Sequence, residues 1–434
     1  MQNPSLPQEG TFIRFGPFRM TEPKPFIRQA AADRSYNVFW RNTLMLRAFK
    51  VATVVAAAAA FVSAPSLAGE VKLPKNLAWT AYDSTSSGYI QSVGLGNMLK
   101  KNYGTELRVI PGKNDVSRML PLKAGQADIC ACGIAAYFGQ EGVLMFADPH
   151  WGPTKIYNLF NNIGRNGTGL VFAGDAGIKT AADLKGKRVT WVKGAPALNL
   201  NATAVLAFGG LTWDDVKKVE VPGWGQSMQA IIDGQADAAF GSTISSIYAQ
   251  IQASPRGIFH PTFPHNDEAG WKRVWEVAPY WQKAEISNSV GGENNVTGKM
   301  PYEGAGYPYP TFISFDNLSD ETAYGLTKAV MENYEDFKES GPGMDGYQIE
   351  NQNLSWVFPY HPGSIAYYKE AGKWTAEDQA NNESLMQRQQ ILADAWTKFS
   401  DMDVADDAVE AEWLKVRAAG LEAAGMNVPF REAM

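Results

Sequence analysis

Two stretches of this chain carry nearly the same message: Leu122-Lys123-Ala124-Gly125-Gln126-Ala127-Asp128 and Ile231-Ile232-Asp233-Gly234-Gln235-Ala236-Asp237. Each reads as the end of a helix, a glycine stop, and an acid that leads into a short buried strand. A unit met twice in this form predicts two similar α/β lobes in tandem.

Working outward, the first copy ends a series of strand Leu77–Tyr82, polar turn Asp83–Gly88, helix Tyr89–Lys101, strand Leu107–Ile110 and helix Val116–Ala124. That last helix puts Val116, Met119 and Leu120 on one face, and strand Ala127–Cys132 follows it. The second copy ends a matching series: strands Leu170–Ala173 and Val189–Val192, helix Asn199–Phe208, strand Val219–Val221 and helix Gln226–Asp233. Strand Ala238–Phe240 then completes it. The run Phe259–Tyr309 is rich in Pro, Gly and aromatic residues and reads as irregular. Strand Pro310–Phe315, helix Asp320–Phe337 and two terminal helices, Ala376–Phe399 and Asp406–Ala424, complete the pattern. The organisation expected is a leader over 1–68, lobe 1 over 69–166, lobe 2 over 167–308, and a return to lobe 1 with packing helices over 309–434.

The leader has the order of a secretory signal. Arg47 and Lys50 precede an apolar stretch from Val51 to Val62, and Ser66 and Ala68 supply the small residues of a cleavage site near Ala68. That stretch is too short to span a bilayer. Met45 is the better start, so residues 1–44 read as an over-extended frame and the mature protein as exported to the periplasm. Beyond Ala68 the chain carries 31 basic and 42 acidic side chains, a balance that disfavours a nucleic-acid partner. Cys130 and Cys132 are the only cysteines. Two residues apart in an extended strand, they read as buried free thiols filling a core.

No catalytic constellation assembles. The four histidines, His150, His260, His265 and His361, are scattered, and each adjoins a proline. There is no nucleophile elbow, phosphate loop or dinucleotide fingerprint. The expectation is therefore a protein that is not an enzyme and has neither metal nor cofactor. What the chain offers is a set of turns at the C-terminal ends of its strands, where helix N-termini present free N–H groups to a ligand. They supply the candidate ligand-binding residues Tyr82, Asp83, Ser84, Thr85, Ser86, Ser87 and Tyr89 from the first turn and Gly133, Ile134 and Tyr137 from the second. Trp191, Ala197 and Asn199 stand at the third, Trp224, Gln226 and Ser227 at the fourth, and Thr243 at the fifth. Asp83 and Lys193 are the charged residues this reading places in the cleft.

The mature chain from about Leu77 to Trp374 resembles the TAXI-type solute receptors of TRAP transporters. The segments that carry the likeness include Ser84–Leu99, both helix-stop-strand units and Asp175–Val189. More specific are Asn317-Leu318-Ser319-Asp320-Glu321-Thr322-Ala323-Tyr324-Gly325 and Pro359-Tyr360-His361-Pro362-Gly363-Ser364-Ile365-Ala366-Tyr367-Tyr368. The resemblance implies a type II periplasmic-binding-protein fold, with a ligand cleft between lobes that close like a hinge and C-terminal helices packed on the lobes. It implies a monomeric receptor that hands a small-molecule solute to TRAP-type membrane permease subunits; a similar receptor for an ABC importer or a sensor kinase is the alternative. The turns depart from the family pattern: Tyr82-Asp83-Ser84-Thr85-Ser86-Ser87 replaces a Gly-Gly-Thr-rich turn, and Ala197-Leu198-Asn199 replaces Gly-Ser-Gly-Thr. The aromatic residues near those turns favour a larger or less polar solute than a simple amino acid or dicarboxylate, and the solute expected is a small organic one, carboxylate-bearing and aromatic.

Overall fold

A computed structural model describes residues 70–290 and 300–431; the proposed signal sequence and cleavage point lie outside them. In chain order the first lobe runs β1 (Asn76–Ala81), α1 (Ser87–Tyr103), β2 (Glu106–Pro111), α2 (Asp115–Lys123), β3 (Ile129–Cys132), α3 (Ala135–Glu141) and β4 (Ile156–Asn161). The chain then crosses to β5 (Thr168–Ala173), β6 (Arg188–Val192), α4 (Pro196–Phe208), β7 (Lys217–Val221) and α5 (Trp224–Ile232). That lobe continues with β8 (Ala238–Ser242), α6 (Ile247–Ala253), β9 (Ile258–Phe259), α7 (Glu268–Val277) and a hairpin of β10 (Gln282–Ile286) and β11 (Tyr302–Gly306). The chain returns through β12 (Thr311–Phe315), α8 (Asp320–Glu332), α9 (Tyr334–Phe337) and α10 (Pro362–Glu370), and ends in α11 (Ala376–Ser400) and α12 (Val409–Ala423).

The two lobes are the α/β pair expected, and they correspond strand for strand. One five-stranded sheet has the order β2-β1-β3-β12-β4 and the other β7-β6-β8-β5-β9. In each the first three strands are parallel, and the fourth, β12 or β5, runs antiparallel to them. That fourth strand is the one that enters directly from the opposite lobe.

The repeated unit has a physical reason. Gly125 and Gly234 take φ of +65° and +73°, in the left-handed region that lets the chain leave α2 and α5. After each, a Gln and an Ala turn their N–H groups back onto one helix carbonyl, Pro121 in lobe 1 and Ala230 in lobe 2. The acid then binds the backbone of the neighbouring strand. Asp128 Oδ2 accepts from Ala78 N–H at 2.8 Å, and Asp237 Oδ2 accepts from Arg188 N–H at 3.0 Å. The acid thus binds a backbone N–H of the neighbouring strand one residue before the pairing with its own strand begins.

Three expectations change. The segment 259–309 contains regular structure: the buried Trp271 and Val274 anchor α7, and Ala284 and Gly304 lie opposite each other in the β10–β11 hairpin. The helix begun at Asp320 breaks at Asn333, whose amide donates to Ala329 O and to Tyr103 Oη. Cys130 and Cys132 are joined as a disulfide, not free thiols. Their Cα atoms are only 5.1 Å apart. That is closer than two residues of a fully extended strand and within disulfide reach.

The terminal helices are held by charge. Glu141 at the end of α3 is fully buried and receives Arg388 Nε at 2.5 Å and Nη2 at 2.7 Å, with Arg417 Nη2 on the same carboxylate. Burial pushes the Glu141 pKa up, but the two guanidiniums outweigh it and hold the carboxyl at about 2. Trp413 donates to Gly142 O at 2.6 Å and meets Trp396 edge-on at 4.7 Å, so both tryptophans serve packing. His361 caps α10, its ring accepting from Gly363 N–H at 3.2 Å.

Candidate functional site

The chain passes between the lobes twice, over residues 162–167 and 307–310. The crossings are bonded to each other: Asn162 N–H donates to Pro310 O and Tyr309 N–H to Asn162 O, both at 2.9 Å. Tyr307 and Tyr309 stand in this hinge and form the floor of a cleft. Lobe 1 brings Tyr82, Ser86, Ser87, Arg118, Gly133 and Ile134 to it, and lobe 2 brings Ala197, Leu198, Trp224, Phe240, Ser242 and Ser245.

The lobes touch directly above this floor. Trp224 N–H donates to Lys113 O at 2.8 Å, Asn114 Nδ2 to Lys193 O at 3.0 Å, and Ser246 N–H to Thr85 O at 3.1 Å. The enclosed cavity is about 30 Å³, room for little more than water on this measure.

An ion pair of α2 backs the cavity wall, with Arg118 lining the cavity and Asp115 behind it. Asp115 is fully buried and Arg118 is 1% exposed, with Nη2 2.8 Å from Asp115 Oδ1. Tyr82 Oη donates to the same carboxylate oxygen. The other oxygen accepts from Ala197 N–H of lobe 2 at 2.8 Å, at the start of α4. Arg118 Nη1 donates to Ala131 O at 3.0 Å, and its guanidinium lies 3.6 Å from the centroid of the Tyr82 ring. Burial disfavours the Arg118 charge, but Tyr82 and Asp115 beside it raise its pKa, so it is permanently cationic. Burial likewise pushes the Tyr82 phenol well above its usual range.

Four buried polar atoms on the cleft wall find no hydrogen-bond partner among the described residues: Ser87 Oγ, Thr168 Oγ1, Ser242 Oγ and Arg118 Nε. Leaving such groups unpaired is costly. They come from both lobes: Ser87 from the first turn of α1, Arg118 from α2, and Thr168 and Ser242 from facing positions of β5 and β8.

Of the sequence candidates, Tyr82, Ser86, Ser87, Gly133, Ile134, Ala197 and Trp224 line this cavity. The Trp224 indole stacks on Tyr82 with centroids 6.2 Å apart and donates to Phe240 O. The remaining candidates lie elsewhere. Asp83 is half-buried against Gly225, where a Cβ would come within 2.6 Å of its carboxylate. Ser84 and Gln226 are exposed, Thr85 lends only its carbonyl to the lobe contact, and Tyr89 packs against the lobe 1 core. Tyr137 packs on Phe430 at 5.6 Å, and Ser227 Oγ donates to Trp224 O. Thr243 accepts from Gly167 N–H and donates to Asn288 O. Asn199 clamps both backbone groups of Val192. Trp191, set edge-on to Trp213, lines a separate cavity of about 230 Å³ with Leu144, Met145 and Glu410.

Lys193 pairs with Glu220 at the surface. The charged side chain that lines the cavity is thus Arg118, held by Asp115, and neither Asp83 nor Lys193 lines it. Sequence reading missed it because the face of α2 was drawn through Leu120, which is 51% exposed. The buried face is Asp115, Arg118, Met119 and Leu122. The only sequence signal was the i, i+3 spacing of acid and base, which is far commoner on solvated helix surfaces.

Among the described residues no cluster of His, Cys, Asp or Glu could hold a metal ion, and no helix is long and apolar enough to cross a membrane. A sequence model of the NMT1-like family matches residues 84–372, two thirds of the chain. Solved structures resemble the chain at low identity. The alkanesulfonate-binding protein SsuA from Xanthomonas axonopodis pv. citri, bound to MOPS, is 15% identical with a TM-score of 0.39, over 83% of this chain and 96% of that one. An ancestral arginine-binding protein bound to arginine is 15% identical with a TM-score of 0.38, over 62% of this chain and 97% of that one. A periplasmic binding protein from Brucella ovis with glutathione bound is 11% identical with a TM-score of 0.36, over 61% of this chain and 73% of that one.

Proposed function

The chain belongs to the NMT1-like family and has the two-lobed α/β architecture of periplasmic solute-binding proteins, and we propose that it captures a small organic solute in its cleft for delivery to a TRAP-type permease. The observation that carries the binding role is the convergence of Ser87 Oγ, Thr168 Oγ1, Ser242 Oγ and Arg118 Nε, all buried and unpaired, on one cavity between two hinged lobes. A protein with no use for that cavity gains stability by making those positions apolar. The aromatic walls, Tyr82 and Trp224, suit a flat or apolar solute body.

The enclosed space is too small for an organic molecule, so the lobes part to admit one and close on it. The closed state is then favoured by the contacts the solute adds. Export to an oxidising compartment is supported by the Cys130–Cys132 disulfide. The TRAP assignment rests on the sequence resemblance of residues 77–374.

Thr168→Val and Ser242→Ala test the reading. Each variant is expected to melt at or above the parent temperature, because an unpaired hydroxyl is removed. Each is also expected to bind solute about tenfold more weakly, the cost of one lost hydrogen bond. The readout is a thermal-shift and calorimetric screen of neutral and charged organic solutes. A panel that never shifts the parent, combined with mass spectrometry of the denatured protein that finds no retained molecule, sinks the receptor reading.

A further inference from the structure

The charge balance of the cleft points to the kind of solute it takes. In a two-lobed receptor the natural seat for an anionic head group is the start of a facing helix with a buried guanidinium beside it. Both parts are present here: the N–H of Ala197 at the first turn of α4, and Arg118 from α2. The seat is taken by the protein itself. Asp115, from lobe 1, places one carboxylate oxygen on Ala197 N–H of lobe 2 at 2.8 Å and the other 2.8 Å from Arg118 Nη2, with Tyr82 Oη on the same atom.

We propose, building on the receptor reading above, that Asp115 is the specificity-determining residue of the cleft. It acts as a built-in acid group, so that the solute is uncharged and polar and an anion is excluded. Two independent features support this. Arg118 and Asp115 neutralise each other, so a carboxylate brought into the cavity would meet a guanidinium whose charge Asp115, directly behind it, already balances. The groups left unpaired are three neutral hydroxyls, Ser87, Thr168 and Ser242, and a single guanidinium N–H. Hydroxyls both donate and accept, which suits a carbonyl, amide or alcohol. The expectation of a carboxylate-bearing solute is thereby reversed.

The same contact ties the lobes together, since Asp115 and Ala197 belong to different lobes. Asp115 therefore does in the closed protein what a bound acid would do in a receptor that lacked it.

The test uses acetate as the probe, with chloride at equal ionic strength as the control. Asp115→Ala is expected to lower the melting temperature. Acetate, in a saturable manner, is expected to restore at least half of that loss by filling the vacated seat, while the parent protein shows no saturable response. Should Asp115→Ala fail to fold, Asp115→Ser keeps a side-chain oxygen at the start of α2, opens most of the seat and leaves Arg118 uncompensated. It is expected to bind acetate at least about tenfold more tightly than the parent.

A saturable acetate or benzoate response in the parent overturns the proposal, as does a folded variant that acetate leaves untouched. A second arm compares benzamide with benzoate and nicotinamide with nicotinate on the parent. Tighter binding of either acid than its amide also overturns it. The acetate arm does not depend on the physiological solute, so a failure of the receptor reading leaves this result interpretable.

Discussion

Helices α2 and α5 occupy the same place in the two lobes, each leading from the outer parallel strand of its sheet to the third in spatial order, β2 to β3 and β7 to β8, and both begin at the cleft. At the first helical position lobe 1 has Asp115 and lobe 2 has Trp224; three residues on, lobe 1 has Arg118 and lobe 2 has Ser227. The backbones after them are interchangeable, down to the glycine stop and the acid that follows. One scaffold thus supplies an ionic wall on one side and an aromatic wall on the other, with Tyr82 and Trp224 stacked where the walls meet. Repeated topology therefore fixes where cleft-facing side chains stand, while their chemistry diverges freely within it.

The lobes differ most in what is fastened behind them, and the largest effect is expected there. Glu141 of lobe 1 holds α11 and α12 through two arginines. Glu141→Gln leaves two buried guanidiniums without their counter-charge and is expected to cost about 3–5 kcal/mol, measured by urea unfolding. The same group sets a pH dependence. Its folded pKa of about 2 lies below the ordinary 4.5, so its contribution is complete above pH 4.5 and is lost as pH falls towards 2. The amount at stake is about 3 kcal/mol. A parent protein whose stability is flat between pH 5 and pH 2.5 would show that the carboxylate is not the anchor.

The next comparison sets the two matching acids against each other. Asp237 receives Arg188 through Nε at 3.0 Å and Nη2 at 2.5 Å, as well as Arg256 Nη2 at 3.1 Å. Against burial, which raises its pKa, those partners hold it well below the usual carboxylate range. The side-chain bond of Asp128 is the one it accepts from Ala78 N–H at 2.8 Å. Asp237→Asn is expected to cost about 2–3 kcal/mol and Asp128→Asn about 1 kcal/mol, by paired denaturant titrations. Equal costs would mean that the arginines add nothing to the shared backbone cap.

The smallest effect concerns the disulfide, which lobe 2 lacks: Ala239 and Gly241 stand where Cys130 and Cys132 do. So short a loop constrains the unfolded chain little. Cys130→Ala with Cys132→Ala is expected to lower stability by no more than about 1.5 kcal/mol. A larger loss would assign the bond a packing role in β3.

Much of the fold was legible because its signals are local. Gly125 and Gly234 stop helices for a backbone reason, and Val189–Val192 reads as a buried strand by composition alone. The strand β4 and the β10–β11 hairpin were not legible. The Asn158 and Asn161 positions of β4 break its apolar run, and the hairpin strands lie far apart in sequence with no tight-turn signal between them. The site was half legible. The turns at Tyr82–Ser87 and Ala197 follow from the general position of ligands in α/β sheets. Asp115 and Arg118 escaped because burial of an ion pair is decided by what packs over it. Here that is Tyr82 from the preceding strand end and α4 from the other lobe, and neither is written in the sequence around residue 115. The cysteine pair escaped for a related reason, since strand contraction is a property of the sheet.

The bonded crossings at Asn162 and Tyr309 bear on timing. Because the two segments pair with each other and also carry Tyr307 and Tyr309, the floor of the cleft belongs to the hinge itself and stays assembled when the lobes part. An arriving solute meets that floor before any wall, so arrival rates should differ little from one candidate to another. The walls come down afterwards, and with them the bond from Asp115 to Ala197. Discrimination among solutes is then written in how long each one stays.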